Sequence, residues 1–275
     1  MTFAPNLFLH DSSRRQLEHF IKRPSHGLLL HGPDGMGLTT TARTLANVLT
    51  DSVSIHEISP IDGKDISIEL IRKLYELTRS STTNGRAVII DQADMMSIPA
   101  QNSLLKLLEE PPQHTFFILT SHTPAKLLDT IQSRTQSIAL PIISNDASAL
   151  FLDHHTLDST KRSQILFLGA GRPALLHRLA TDESYFAEQA SLAKDARTFV
   201  QSTAYQRLII SGAYVRDRTK AIAFLSMVGA VVYHMVKKNP QNIPPHAAKT
   251  IGEAIDRLQQ NGNVRLALTD IALSF

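Results

Sequence analysis

Gly32-Pro-Asp-Gly-Met-Gly-Leu-Thr39 lies between an apolar run, Gly27-Leu-Leu-Leu-His31, and a helical pattern running from Thr40 to Leu49. Strand, loop and helix stand there in the order that begins a β-α-β crossover. In the intact phosphate-binding form, G-x-x-x-x-G-K-[ST], backbone N–H groups wrap the phosphates, the lysine reaches the outer ones and the hydroxyl holds Mg²⁺. Gly32 and Gly37 keep the spacing, Gly35 adds a further flexible position and Thr39 supplies the hydroxyl. Leu38 stands where the lysine belongs, so the backbone half of an anion site is present and its charge is missing.

The second half of such a site is expected on another strand. Arg86-Ala-Val-Ile-Ile-Asp91 is a short β-branched run that ends in a carboxylate. A strand-end aspartate can hold Mg²⁺, and a following glutamate can activate the attacking water. Here Asp91 is followed by Gln92, whose amide cannot take a proton at neutral pH. Two chemically separate requirements for hydrolysis are absent together. The bland alternatives are a plain glycine turn at 32–39 and turn chemistry at Asp91; the two features paired in one chain favour a phosphate site that has lost its catalytic parts.

Along the chain, residues 11–23 carry cap residues followed by Leu17, Phe20 and Ile21 at helical spacing, and Pro24 ends that helix. A strand is expected near Val53 to Ile58 and a turn from Pro60 to Lys64. A helix follows over 66–80, with Ile68, Ile71, Leu74 and Leu77 in one stripe, and Thr82 to Gly85 breaks it before strand 87–91. Pro99 opens a leucine-rich helix that Pro111-Pro112 terminates. Phe116 to Thr120 reads as a buried strand, Pro124 to Ile131 as a helix and Gln136 to Leu140 as a last strand. Beyond Pro141 the pattern turns all-helical, with Gly169-Ala-Gly171-Arg-Pro173 as a turn and interruptions near Ser211-Gly212 and from Asn239 to Pro245. Alternating strands and helices followed by helices alone predict an α/β domain with a parallel sheet and helical domains after it.

Composition narrows the chemistry. With 275 residues and no cysteine, disulfides, thiol nucleophiles and cysteine-ligated metals are excluded. Among the 12 histidines, His154-His155 are sequence neighbours without a carboxylate ladder, so no metal site is expected. No uninterrupted apolar run is long enough to span a bilayer, and Met1 to His10 lacks a secretion signal's basic start, so a cytoplasmic protein with no membrane partner is expected. The net charge is +3, and in residues 191–275 basic side chains outnumber acidic ones about two to one. Such a segment can attract nucleic acid, although solvated helix faces explain it as simply.

Asp91-Gln-Ala-Asp-Met-Met, Asn102-Ser-Leu-Leu-Lys-Leu-Leu-Glu-Glu-Pro-Pro112 and the stretch Thr115 to Thr135 resemble the AAA+ clamp-loader family, and Asn261-Gly-Asn-Val-Arg-Leu-Ala-Leu268 resembles the end of its collar domain. The resemblance implies an AAA+ P-loop domain over 1–142, a small helical lid domain over 143–185 and a C-terminal helical collar over 186–275. It also implies membership of the sliding-clamp loader of DNA polymerase III in DNA replication. The implied partners are an ATPase subunit, a delta-type subunit, the sliding clamp and, through the assembled complex, primer-template DNA.

In that family a Ser-Arg-Cys motif carries an arginine that reaches the neighbouring subunit's ATP. Here it reads Ser133-Arg134-Thr135, which keeps the arginine. A polar residue that senses the γ-phosphate corresponds to Thr120 or Ser121, and a second sensing arginine corresponds to the neighbourhood of Arg172 and Ala174. The family's cysteine-rich zinc module, expected between Leu49 and Asp65, is missing. Together these imply a non-hydrolysing subunit that donates Arg134 in trans. Its own nucleotide site (Gly32, Gly35, Gly37, Thr39, Asp91) would be degenerate and no cofactor its own. An active ATPase with an atypical loop and a free-standing DNA-binding protein are the alternatives.

Overall fold

The computed structural model describes residues 7–50, 54–61, 64–78, 85–238 and 246–274. Contacts divide it into two compact units, Met1–Thr181 and Asp182–Phe275.

The first unit is built on five parallel strands, β1 (Gly27–His31), β2 (Ile55–Ile58), β3 (Arg86–Ile90), β4 (Thr115–Ser121) and β5 (Gln136–Ala139), in the order β2-β3-β4-β1-β5. The candidate loop therefore leaves a strand flanked on both sides, and Asp91 leaves the strand on the far side of β4. That arrangement brings the ends of β1, β3 and β4 together at the carboxyl edge, where open parallel sheets hold ligands.

Side chains alternate across the sheet and feed two cores. On one face Leu28, Leu30, Ala87, Ile89, Ile118 and Ile138 meet Leu17 and Phe20 of α1 (Asp11–Lys22) and Ala42, Leu45 and Ala46 of α2 (Leu38–Leu49). On the other, Leu29, Val88, Ile90, Phe117 and Leu119 meet Ile71 and Leu74 of α3 (Ile68–Thr78) and Leu104, Leu107 and Leu108 of α4 (Ile98–Glu109). The parallel sheet covered on both faces is thus as the alternating pattern predicts.

Two helices differ from expectation for tertiary reasons. The helix expected over 66–80 starts at Ile68 because Ile66 is already committed: its N–H donates to the Met95 carbonyl and its own carbonyl accepts from Ser97 N–H. Pro124 to Ile131 is not one helix. It is a 3₁₀ turn (Pro124–Lys126), two extended leucines and the short α5 (Asp129–Gln132). The buried Gln101 amide enforces this break, donating to the Met96 and Lys126 carbonyls and accepting from Leu128 N–H. An amide that satisfies three backbone groups outweighs local helix propensity. Three further helices, α6 (Asn145–Leu152), α7 (Ser159–Gly169) and α8 (Pro173–Thr181), complete this unit.

The second unit contains α9 (Glu183–Gln201), α10 (Ala204–Gly212), α11 (Arg218–Lys238), α12 (Ala247–Gln259) and α13 (Val264–Ser274). A break at Ser202-Thr203, unexpected from the sequence, is fixed by a capping box between Thr203 and Gln206. Helix α11 is long and apolar enough by composition to cross a membrane; here Ala221, Phe224, Leu225, Val228, Val231 and Val232 are buried, and α9 and α12 are its main packing partners. The expected breaks at 82–84 and 239–245, Asp62 and Gly63 of the expected turn, residue 53 of the second strand, residues 79 and 80 of the helix and residues 1–6 of the N-terminus lie outside the described residues.

Candidate functional site

The loop at the end of β1 has the backbone its glycines allow. Gly37 caps α2 with φ 84°, a left-handed conformation that an L side chain resists. Gly32 is required for a different reason: a Cβ there would meet the Leu140 carbonyl oxygen at 2.4 Å. Helix α8 closes over the loop from outside the sheet, where Ala174 and Leu175 N–H groups both donate to the Gly35 carbonyl, at 2.9 and 3.1 Å.

Leu38 is buried in the core beneath α2 and does not stand free in the loop. Thr39 Oγ1 donates to Asp91 Oδ1 at 2.6 Å, and Thr120 Oγ1 donates to the same oxygen at 2.7 Å. The Thr120 hydroxyl in turn accepts from Gln92 N–H at 2.9 Å. Gln92 sits in a left-handed conformation, φ 51°, just beyond β3. Of the two sensor candidates, Thr120 therefore faces Asp91, whereas Ser121 Oγ accepts from Thr123 N–H.

Cations around this cluster are engaged elsewhere. Arg43 makes two hydrogen bonds to Glu57, at 2.6 and 2.7 Å. Those bonds and the Glu57 charge raise its pKa above the ordinary guanidinium value, with a smaller push from Asp91. Arg172 donates to the Gly169 and Leu168 carbonyls, closing the C-terminal end of α7, while Ala174 stands over the loop with its Cβ 3.6 Å from where a Cβ on Gly37 would be. His31, at the start of the loop, has its pKa lowered by burial. His122, just past β4, ties that strand to the loop: its N–H donates to Asp94, and Nδ1 lies 3.0 Å from the Gly32 carbonyl oxygen. Beside the loop an apolar cavity of about 220 Å³ is lined by Phe8, Met36, Phe151, Pro173 and His177. Among the described residues no group of three or more His, Cys, Asp or Glu side chains is arranged to hold a metal ion.

Arg134 is placed away from this cluster, just past α5 at the start of β5. Its Nη1 donates to the Thr130 carbonyl at 3.1 Å, and Nη2 lies 2.8 Å from Glu109 Oε1 at the end of α4. More than a third of the side chain is open to solvent, whereas Thr135 beside it is buried and donates to the Ile131 carbonyl. Nothing in the sequence alone singles out Gln101, Glu109 or His122. Gln101 and Glu109 lie inside or beside the leucine-rich helix pattern, and the partners that give them their roles, Lys126 and Leu128 for Gln101 and Arg134 for Glu109, are more than twenty residues away.

A family profile described as "DNA polymerase III, delta subunit" matches residues 50–144. The Haemophilus influenzae DNA polymerase III subunit delta' is 35% identical over 137 residues, which is 49% of this chain and 41% of that protein. The Bacillus subtilis subunit tau is 32% identical over 148 residues, 46% of this chain and 26% of that protein. The match thus spans less than half the length of these curated relatives. In fold, a DNA polymerase III gamma-subunit-related protein from Thermotoga maritima superposes with a TM-score of 0.61 at 17% identity, covering 94% of this chain and 97% of that one. The Thermotoga maritima RuvB Holliday junction branch migration motor gives 0.51 at 19% identity over 65% of this chain and 63% of that one. The first unit accordingly has an AAA+ P-loop fold, followed by a helical C-terminal region, and over about half its length the chain is similar to delta' and tau subunits of DNA polymerase III.

Proposed function

We propose that this chain is a non-hydrolysing subunit of the DNA polymerase III clamp loader, acting in the cytoplasm as one member of a hetero-oligomeric ring. Its task is to present Arg134 to the ATP held by a neighbouring ATPase subunit, where a guanidinium supplied in trans offsets charge developing on the γ-phosphate. The division of labour would follow the chain: an AAA+ domain over 1–142, a lid over 143–185 and a collar over 186–275 that joins the other subunits, a delta-type subunit among them. The sliding clamp and primer-template DNA are met by the assembled complex.

The observation that carries this reading is the condition of the chain's own nucleotide site. Thr39 and Thr120 both direct their hydroxyl hydrogens at one oxygen of Asp91, and Leu38 is buried in the core at the position of the phosphate-neutralising cation. Gly32, Gly35, Gly37, Thr39 and Asp91 preserve the shell of a Mg²⁺·ATP site, but the donor set does not fit it. The fourfold negative charge of a triphosphate would meet a carboxylate and no lysine. Gln92 supplies no base for water. Arg134, by contrast, has more than a third of its side chain open to solvent.

The test is turnover by the purified chain alone in Mg²⁺·ATP, with a working P-loop ATPase as control. The reading predicts no hydrolysis above background. Steady turnover that disappears in Asp91→Asn would identify the chain as an ATPase with an atypical loop and overturn the reading.

A further inference from the structure

The C-terminal end of α4 breaks a local rule. The last turn of a helix carries partial negative charge and favours Lys or Arg, and Lys106 answers to that, yet the helix still finishes on Glu109 with Glu110 as its cap. Residues that contradict local preference are commonly held by a function or a distant partner, and the partner is visible: Glu109 Oε1 lies 2.8 Å from Nη2 of Arg134. The guanidinium is gripped from its other side by the Thr130 carbonyl at 3.1 Å. Nη1 also makes a longer contact to Ser133 Oγ at 3.5 Å; together the contacts use two of the three nitrogens, define the plane of a rigid fork and leave donors on it for another acceptor.

We propose that Glu109 is a positioning residue for Arg134: it holds the guanidinium extended and oriented before the neighbouring subunit's triphosphate arrives. This rests on the arginine-donor reading above. A long arginine side chain otherwise loses considerable rotamer freedom each time it engages, and a preset fork has lost it already. Glu109 meets the fork at Nη2, so a phosphate that approaches its other donors adds to the pair and need not displace it. Both groups stand at structured points, Glu109 on a packed helix and Arg134 between α5 and β5. Gln101, on the same helix as Glu109, also fixes the segment that precedes Arg134 through Lys126 and Leu128.

The experiment is a double-mutant cycle on the complete loader assembled with the full chain, reading DNA- and clamp-stimulated ATP hydrolysis as separate kcat and KM. Glu109→Ala lowers kcat by roughly two- to fivefold, the range for a half-exposed ion pair, with KM for ATP unchanged. Glu109→Gln, which keeps an acceptor oxygen, recovers most of that loss. In an Arg134→Ala background neither substitution has any further effect. If Arg134→Ala itself leaves hydrolysis unchanged, the arginine-donor reading fails and takes this inference with it. If Arg134→Ala lowers kcat while both Glu109 variants match the unaltered chain, or lower it further in that background, the donor reading stands and the positioning role is overturned. Should Glu109→Ala not assemble, the comparison of Glu109→Gln with and without Arg134→Ala decides it by the same criterion.

Discussion

Thr120→Val removes one hydroxyl at nearly constant volume, and the structure sets what that costs. The Thr120 side chain is buried, donates to Asp91 and accepts from Gln92 N–H. A hydrogen bond to a charged group contributes about 1.5–3 kcal/mol, and a backbone N–H left without a partner costs about 1–3 kcal/mol. Gln92 is only partly buried, which puts the second figure near its lower end, and the added methyl returns about 0.8 kcal/mol of apolar burial. The balance is a loss of about 2–3 kcal/mol. For a unit of this size that corresponds to a fall in Tm of roughly 4–12 °C. Calorimetry on the full chain reads the first unit's transition, and amide exchange at Gln92 should accelerate in the same variant. Thr120→Ser keeps both hydrogen bonds and should lose about 1 kcal/mol for the missing methyl. A Thr120→Val chain melting within roughly 2 °C of the unaltered one would refute the view that the Thr39, Asp91 and Thr120 cluster is a structural tie.

Two other outcomes follow from the same region. Burial lowers the His31 pKa below its ordinary 6.5, so the unfolded chain binds the proton first; His31 therefore supports folding fully above pH 6.5 and loses that support as pH falls through the lowered folded value. Urea titrations should show a declining midpoint on acidification below neutrality that His31→Gln flattens, and an unchanged pH slope would count against it. Gly32→Ala should destabilise by several kcal/mol or prevent folding, because its Cβ would sit 2.4 Å from the Leu140 carbonyl oxygen; normal stability of that variant by the same titration would show that the loop moves freely from β5.

How much of this was legible in the sequence depends on how far apart the interacting residues are. The glycine loop, its flanking strand and helix, and both sheet faces followed from local spacing, as Leu28 and Leu30 against Leu29 illustrate. Leu38 and Gln92 were also informative as they stood, because each replaces a specific chemical group. The extended break at Leu127-Leu128 was not legible, since its cause is the side chain of Gln101 on another helix. The Thr203-Gln206 capping box is written in the sequence but is masked by the long helical pattern around it. The pairing of Thr39 with Asp91 across 52 residues, and of Glu109 with Arg134, needed the sheet order to bring strand ends and helix ends together.

The central claim is that this chain acts on a neighbour's ATP through Arg134. Its most direct measurement is single-turnover hydrolysis by the assembled, DNA- and clamp-stimulated loader with Arg134→Ala and, separately, Arg134→Lys. The account predicts that the site facing this chain loses hydrolysis by orders of magnitude with alanine. It predicts only partial recovery with lysine, a point charge without the planar fork, while the purified chain's fold and its assembly into the ring are unchanged. Single-turnover rates for the alanine variant equal to those of the unaltered loader would contradict it.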